Sequence, residues 1–187
     1  MRIDRLKKEY EIETKWAAFP LHPETPEEGL TLAELFAGRS ADVQGILMRL
    51  KRVAGELGLP LADRTKTYNS RLAQELAKWA ESEGKGDEFH DAIFRAYFVE
   101  AKNIANADSL ADLCENIGLP GDEAWRVVRD RTFREEVDAD WKRSRDLGIT
   151  AVPTIIMGFQ GIVGFQPYDV LEQFLKSAGV EKKKELK

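Results

Sequence analysis

A proline at the start of an apolar run constrains the fold of this chain more than any other feature. Pro153 precedes Thr154 to Met157, a β-branched and apolar run that predicts a strand. Proline has no N–H for a sheet ladder, so it marks a special backbone site. Because an X-Pro bond adopts cis at modest cost, we predict a cis Val152–Pro153 bond that turns the Val152 N–H and C=O outward. An ordinary proline at the first residue of a strand is the alternative.

The residues on both sides of this run predict further regular elements. A turn at 158–161, a second strand at 162–165 and a helix from Pro167 are expected after it. At the other end of the chain, apolar residues at helical spacing predict a short helix up to Tyr10. Residues 11–18 alternate between polar and apolar, which predicts a strand at the edge of a sheet.

The sequence from 31 to 147 predicts helices only. The strongest apolar stripe begins after Ser40, a candidate N-cap, and should face a core. The stripe comprises Val43, Ile46, Leu47, Leu50, Val53, Ala54 and Leu57. Further helices are expected at 70–82, 87–102, 109–117 and 122–147.

Composition excludes several classes of function. The net charge of −5 argues against a nucleic acid or an anionic membrane as partner, because either requires a basic face. We expect a cytoplasmic protein, since the sequence has no membrane-spanning apolar run and no signal peptide. The single cysteine, Cys114, excludes an internal disulfide and a cysteine metal cluster. Two isolated histidines, His22 and His90, do not indicate a metal site.

Four stretches in this order carry a resemblance to a known family. They are Phe19 to Leu21 with its proline-rich loop, Tyr68 to Ala73, Phe89 to Phe98, and Gly148 to Phe174. Together they resemble the DsbA-like branch of the thioredoxin superfamily, and within it the cytoplasmic FrnE-type thiol oxidoreductases most closely. The 2-hydroxychromene-2-carboxylate isomerases and kappa-class glutathione transferases are the related families.

The resemblance implies an α/β, thioredoxin-like fold with a large all-helical insertion. The incomplete thioredoxin-like domain should comprise 1–30 and 148–180, and the insertion 31–147, whose last helix should pack on the sheet. We expect the charged tail 181–187 to be disordered. The family's first strand and its Cys-x-x-Cys turn have no counterpart in the printed sequence. We therefore expect either an upstream extension of the natural gene, or closure of the sheet by direct strand pairing or in a homodimer.

The resemblance assigns substrate binding to Val152 and Pro153, because the backbone before the cis-proline pairs with bound peptide or glutathione in this family. Asn69 is a further candidate for a polar ligand contact, with helix N-capping as its structural alternative. No catalytic residue is expected, since the helical spacing around Cys114 is typical of a buried core residue. The aromatic residues Phe89, Phe94, Tyr97 and Phe98 favour a core over a substrate groove.

Three functional hypotheses remain open. The first is a thiol–disulfide oxidoreductase of the FrnE type that is redox-inactive as written, and Gln166-Pro167-Tyr168 after the last strand favours it. The second is an isomerase or transferase that uses glutathione, whereas the first needs no cofactor. The third is a non-catalytic member that binds peptides. The expected partner is a peptide or a small thiol in each case.

Overall fold

The computed structural model describes residues 2–37 and 42–183. They form nine helices and four short strands. The helices are α1 Arg2–Glu9, α2 Leu32–Leu35, α3 Val43–Glu56, α4 Arg71–Ser82, α5 Gly86–Phe98, α6 Ala107–Asn116, α7 Gly121–Asp130, α8 Arg134–Asp146 and α9 Tyr168–Ser177. The strands are β1 Leu30–Thr31, β2 Lys66–Thr67, β3 Thr154–Met157 and β4 Gln160–Val163. The chain divides into two compact units, one built from the described parts of Met1–Leu21 and Asp140–Lys187, the other from those of His22–Ala139.

The unit His22–Ala139 has a helical core. Helices α4 to α7 contribute its buried side chains, among which Leu76, Phe89, Leu110 and Cys114 are fully buried. The predicted helices 70–82 and 109–117 are confirmed within two residues, because each has an apolar stripe and a local start signal. The signal at α6 is Asn106, whose side chain accepts a hydrogen bond from the N–H of Ser109. Strands β1 and β2 pair antiparallel beside this core.

The other unit combines α1, the hairpin β3–β4 and α9. Its core consists of Leu6, Tyr10, Leu171 and Leu175, against which one face of the hairpin packs. The predicted first helix and the helix after Pro167 are confirmed. The hairpin pairs Thr154 with Val163 and Met157 with Gln160, so its turn is two residues long and β4 starts two residues before the predicted position.

Two predicted helices end earlier than expected. The predicted helix 122–147 is wrong as a single element, because Arg131 adopts a left-handed conformation with φ of 54° and separates α7 from α8. Its guanidinium instead binds the buried carboxylate of Glu75, an interaction that helical periodicity does not reveal. The predicted helix 87–102 ends at Phe98, and Ala101 has φ of 54°.

Helix α3 differs from its prediction in burial, not in extent. None of its residues is fully buried, and Ile46 and Leu50 are about half exposed, so the expected core-facing stripe is wrong. The reason is that no other described element packs extensively against it. The N-cap is Asp42, whose carboxylate accepts from the N–H of Gly45. Ser40, the predicted cap, lies outside the described residues.

The predicted strand at 11–18 is also wrong. This segment is irregular, and the N–H of Ala18 donates to the Asp140 carboxylate instead of a neighbouring strand. Alternation of polar and apolar residues makes a strand only where another strand supplies hydrogen bonds, and none does so here within the described residues. Direct strand pairing between 11–18 and β3 is therefore excluded as well.

The described part of the predicted disordered tail is ordered. Lys182 forms an antiparallel bridge with Tyr10, and the N–H of Lys183 donates to the carbonyl oxygen of Glu9. The ammonium of Lys182 lies 3.0 Å from a carboxylate oxygen of Glu172 on α9. Residues 184–187 of the predicted tail lie outside the described residues. The prediction of disorder was based on the charge of the tail. It could not include the backbone hydrogen bonds that the tail makes with Glu9 and Tyr10.

Candidate functional site

The candidate site in the first unit is the loop that joins α8 to β3. The Val152–Pro153 peptide bond in this loop is cis. Local hydrogen bonds hold the loop at both ends. The N–H of Ile149 donates to the carbonyl oxygen of Ser144 on α8. The Thr154 hydroxyl donates to the carbonyl oxygen of Ala151 at 2.6 Å. The loop therefore has a defined conformation on either side of the proline.

The strand after the proline presents one unpaired edge. The Gly164 N–H donates to the Pro153 carbonyl oxygen at 2.7 Å, which continues the register of β3 with β4. Residues of an antiparallel strand point their N–H and C=O groups alternately toward and away from the partner. The backbone groups of Thr154 and Ile156 consequently point away from β4. No strand pairs with this edge of β3 within residues 2–37 and 42–183.

Val152 stands at the end of this edge with its backbone available. Its relative exposure is 45%. Within the described part of the chain, neither its N–H nor its C=O makes a hydrogen bond. An exposed residue with free backbone donor and acceptor, next to an unpaired strand edge, is the arrangement that β-type pairing with an extended ligand requires.

An apolar surface adjoins the edge. The side chains of Ile155, Met157 and Ile162 pack toward the core of this unit. The opposite face of the hairpin carries Ile156 and Val163, which are 36% and 55% exposed. A ligand paired to the edge would find apolar surface for alternate side chains on this face.

Asn69, the third predicted site residue, lies in the other unit and makes structural contacts. Its amide nitrogen donates to the carbonyl oxygens of Pro23 and Thr25, at 3.2 and 2.6 Å. Its carbonyl oxygen accepts from the N–H of Arg71 at 2.8 Å, in the first turn of α4. The side chain thus ties the proline-rich loop to the start of this helix.

The predicted aromatic cluster of α5 divides between core and surface. Phe89 is fully buried, as predicted. The core prediction is wrong for Phe94 and Phe98, which are 43% and 38% exposed because they face away from the neighbouring helices. The guanidinium of Arg64 lies over the Tyr97 ring, 4.1 Å from its centroid, and 5.2 Å from that of Phe98.

A buried ion cluster in the same unit was also missed by sequence analysis. The carboxylate of Glu75 is fully buried and accepts hydrogen bonds from Arg71 and from Arg131. Burial raises the pKa of the Glu75 carboxyl, but the hydrogen bonds and charges of Arg131 and Arg71 outweigh it, and the net pKa is lowered. The available signal was a glutamate on the apolar face of α4, since Glu75 lies one position before Leu76 and two after Ala73.

Cys114 has no surface through which it could react. It is fully buried in the helical core, as predicted, and burial raises the pKa of its thiol to about 12. Only the thiolate attacks disulfides, and at this pKa it is scarcely populated near neutral pH.

Burial also lowers the pKa of His90. In the part of the chain that the structure describes, no three residues with metal-binding side chains are grouped around a common point.

The comparisons with known proteins agree with this architecture. A family model described as a DSBA-like thioredoxin domain matches residues 1–176. The Bacillus subtilis protein YwbO, which is uncharacterised, is 29% identical over 164 residues that cover 87% of this chain and 80% of YwbO. The crystal structure of a probable DsbA oxidoreductase from Streptomyces coelicolor has a TM-score of 0.80 and 26% identity, with 87% of this chain and 74% of that chain covered.

A 2-hydroxychromene-2-carboxylate isomerase is similar in fold. Its TM-score is 0.71 at 18% identity, and the match covers 95% of this chain and 85% of that one. Since the family model spans most of the sequence, the chain belongs to the DSBA-like thioredoxin domain family. The predicted fold class, a thioredoxin-like fold, is thereby confirmed. None of the helices among the described residues is long and apolar enough to span a membrane.

Proposed function

We propose that this chain holds an extended peptide carrying a thiol or disulfide, as the substrate-binding part of a cytoplasmic thiol oxidoreductase of the FrnE type. The observation that carries the proposal is Val152, which is exposed before the cis-proline with both backbone groups free of partners in the described chain. The edge of β3 would continue the pairing through Thr154 and Ile156. Two or three backbone hydrogen bonds would then position the peptide, while its alternate side chains contact Ile156 and Val163.

The proposal separates binding from thiol chemistry. Exchange requires an accessible thiolate that attacks one sulfur of the disulfide and releases the other as a thiolate. Cys114 is the single cysteine of the printed sequence, and its burial and raised pKa exclude it from this role. The printed chain is therefore expected to bind substrate without exchanging disulfides.

Amide hydrogen exchange of the wild-type chain tests the binding mode. A short extended peptide with a central cysteine between apolar residues is added at saturation. The amides of Val152, Thr154 and Ile156 should become protected, because they acquire partners. The amide of Ile155 is the internal control, because the register already pairs it with β4. Binding without protection at Val152 would refute the proposal.

A backbone-modified peptide provides the matched ligand control. Methylating the peptide nitrogen that faces Val152 removes one donor and leaves every side chain unchanged. A net backbone hydrogen bond contributes about 0.5–1.5 kcal/mol, so the dissociation constant should rise about two- to tenfold. Equal affinity of the two peptides would contradict β-type pairing.

Reduced glutathione distinguishes the glutathione-dependent alternative. Calorimetric titration that shows glutathione binding, with protection of the Val152 amide and no binding of the longer peptide, would favour the isomerase or transferase hypothesis. Peptide binding alone favours the proposed function. A peptide that binds equally well with serine in place of cysteine would favour a non-catalytic peptide-binding protein.

Thiol chemistry is tested separately by insulin reduction with dithiothreitol as the reductant. The chain should remain at the background rate, and Cys114→Ser should give the same rate. Native Cys114 should also resist a thiol reagent until the protein is unfolded. Turnover by the wild type that disappears in Cys114→Ser would show that the assignment of Cys114 as inert is wrong.

A further inference from the structure

We propose that Arg64 and the aromatic side chains around it form a second binding site, specific for a carboxylate attached to an apolar group. All of its residues belong to the unit His22–Ala139. The site does not depend on the proposed peptide pairing at Val152, and its failure in a test would leave that proposal unaffected.

The guanidinium of Arg64 lies over an aromatic ring. Its Cζ lies 4.1 Å from the Tyr97 ring centroid, and Tyr97 and Phe98 meet edge to face at 4.8 Å. The Tyr97 hydroxyl hydrogen-bonds the hydroxyl of Thr67 on β2 at 2.9 Å, which fixes the ring under the cation. The backbone is anchored as well, since the N–H of Ala62 donates to the Phe98 carbonyl oxygen at 2.8 Å.

This guanidinium has no hydrogen-bond acceptor within residues 2–37 and 42–183. Its Nη1 atom is fully buried and has no partner among the described residues. No carboxylate of the described chain lies within ion-pair distance of it, although most arginines among the described residues have such a partner. A ligand cannot reach Nη1 itself. The Nε and Nη2 atoms are not buried and have no partner among the described residues, so this edge of the guanidinium is the part that a ligand can reach.

The accessible edge determines which ligand fits. The Nε–H and one Nη2–H of a guanidinium point in the same direction, so a carboxylate can accept both side by side. The guanidinium is also weakly hydrated, so it binds carboxylates in partly apolar surroundings better than an ammonium does. Because the net charge of the chain is −5, the attraction for an anion must come from this local group.

The apolar part of the site begins at Phe98, whose ring centroid lies 5.2 Å from the Arg64 guanidinium, and continues along α5. His90, Phe94 and Phe98 follow one another along α5 at intervals of four residues, with ring centroids 5.9 and 6.2 Å apart. Phe94 and Phe98 are both substantially exposed. An aromatic or aliphatic group next to the bound carboxylate would cover these rings and exclude water from the ion pair.

Calorimetric titration of the full chain with 3-phenylpropionate tests the proposal. Binding should weaken at least about tenfold for acetate, which lacks the apolar group, and for 3-phenylpropanol, which lacks the charge. Arg64→Gln should weaken 3-phenylpropionate about ten- to a hundredfold, as expected for the loss of a charged hydrogen-bond pair. The matched control is Arg129→Gln, an exposed arginine paired with Asp130, which should leave binding unchanged.

A second pair of variants tests the aromatic contribution. Phe94→Ala should weaken 3-phenylpropionate several-fold, whereas Trp125→Ala, which removes an equally exposed aromatic at 43%, should have no effect. If Arg64→Gln does not fold, the side-chain Nε–H resonance of Arg64 in the wild type decides instead. That resonance should shift during titration with 3-phenylpropionate, and a constant position at saturation would overturn the proposal.

Two peptides identify the source of the carboxylate. Acetyl-Phe-Glu-Phe-amide and acetyl-Phe-Gln-Phe-amide differ only in charge, and preference for the glutamate peptide over 3-phenylpropionate would assign the site to acidic peptides. Preference for 3-phenylpropionate would assign it to small carboxylic acids. The proposal is wrong if 3-phenylpropionate, acetate and the glutamate peptide all fail to bind. It is also wrong if these carboxylates bind equally well to wild type and Arg64→Gln.

Discussion

Replacing Glu75 by Gln should destabilise the helical unit strongly. The Glu75 carboxylate has no exposed surface and accepts hydrogen bonds from Arg71 Nε at 2.6 Å and from Arg131 Nε and Nη2 at 2.7 and 2.6 Å. The glutamine amide has the same shape but only one accepting oxygen. Its NH₂ group would face guanidinium donors. Arg131 would lose the anion that neutralises it, and Arg71 would keep its ion pair with Asp138.

The expected magnitude follows from this arrangement. Removing one partner of a buried ion pair typically lowers the free energy of unfolding by about 3–5 kcal/mol, because an uncompensated charge stays buried. We expect the lower part of this range, since the Arg131 side chain is 41% exposed and water can partly solvate it. For a chain of this length, each kcal/mol corresponds to a change of about 2–4 °C in Tm. The variant should therefore melt about 6–12 °C below the wild type.

Urea unfolding followed by far-ultraviolet circular dichroism measures the change. Glu81→Gln is the matched control, because it makes the same substitution on the same helix α4. There the carboxylate lies 3.5 Å from Lys78 and is 37% exposed. That substitution should change the free energy of unfolding by less than about 1 kcal/mol. Equal effects of the two substitutions would refute the argument from burial.

The stability difference between wild type and Glu75→Gln should depend on pH. The pKa of Glu75 is lowered in the folded state, so its stabilisation is complete above the unfolded value of 4.5 and is lost as the pH falls through the lower folded value. Glutamine does not titrate. The difference in unfolding free energy between wild type and Glu75→Gln should therefore be constant near neutral pH and shrink below pH 4.5.

Two further substitutions test local geometry. Gly29→Ala should lower the free energy of unfolding by about 2 kcal/mol more than Gly84→Ala. Both glycines have positive φ, at 78° and 72°, but only at Gly29 would an added Cβ meet a backbone oxygen, at 2.5 Å. Equal losses in chemical denaturation would contradict this. On α9, hydrogen bonds lower the pKa of Glu172 to about 2, and the largest contribution comes from Lys176. Lys176→Met should therefore raise the pKa of Glu172, which an NMR titration of the carboxyl group measures. An unchanged titration midpoint would show that Lys176 does not hold the carboxylate.

The sequence predicts the elements whose determinants are local. Helices α4 and α6 were predicted closely because an apolar stripe, a capping residue and a stop signal all lie within the helix or next to it. The cis bond before Pro153 was predicted differently, from the resemblance of the residues around it to the thioredoxin superfamily, because an X-Pro pair alone is usually trans. The break at Arg131 was missed because its cause is a carboxylate 56 residues away. Local periodicity contains no information about such a partner.

Burial was predicted less well than helicity for a related reason. The apolar stripe of α3 has the correct period for a helix, but a stripe does not specify which element will cover it. On α5, Phe89 and Phe94 are five residues apart and belong to one apolar run, yet one is fully buried and the other is 43% exposed. Which residue faces the neighbouring helices depends on how the helices pack, which is decided by the whole unit.

The arginines of the helical unit differ in whether the fold supplies acceptors for their donors. Arg71 and Arg131 share a buried carboxylate, so their donors are satisfied and their removal is expected to change stability. Asn69 likewise uses its amide and carbonyl on backbone groups of the same unit. Arg64 lies over the Tyr97 ring, and its guanidinium has no acceptor among the described residues. Its accessible Nε and Nη2 edge is therefore left open by the fold, and the proposed carboxylate ligand would supply the acceptors that this edge lacks.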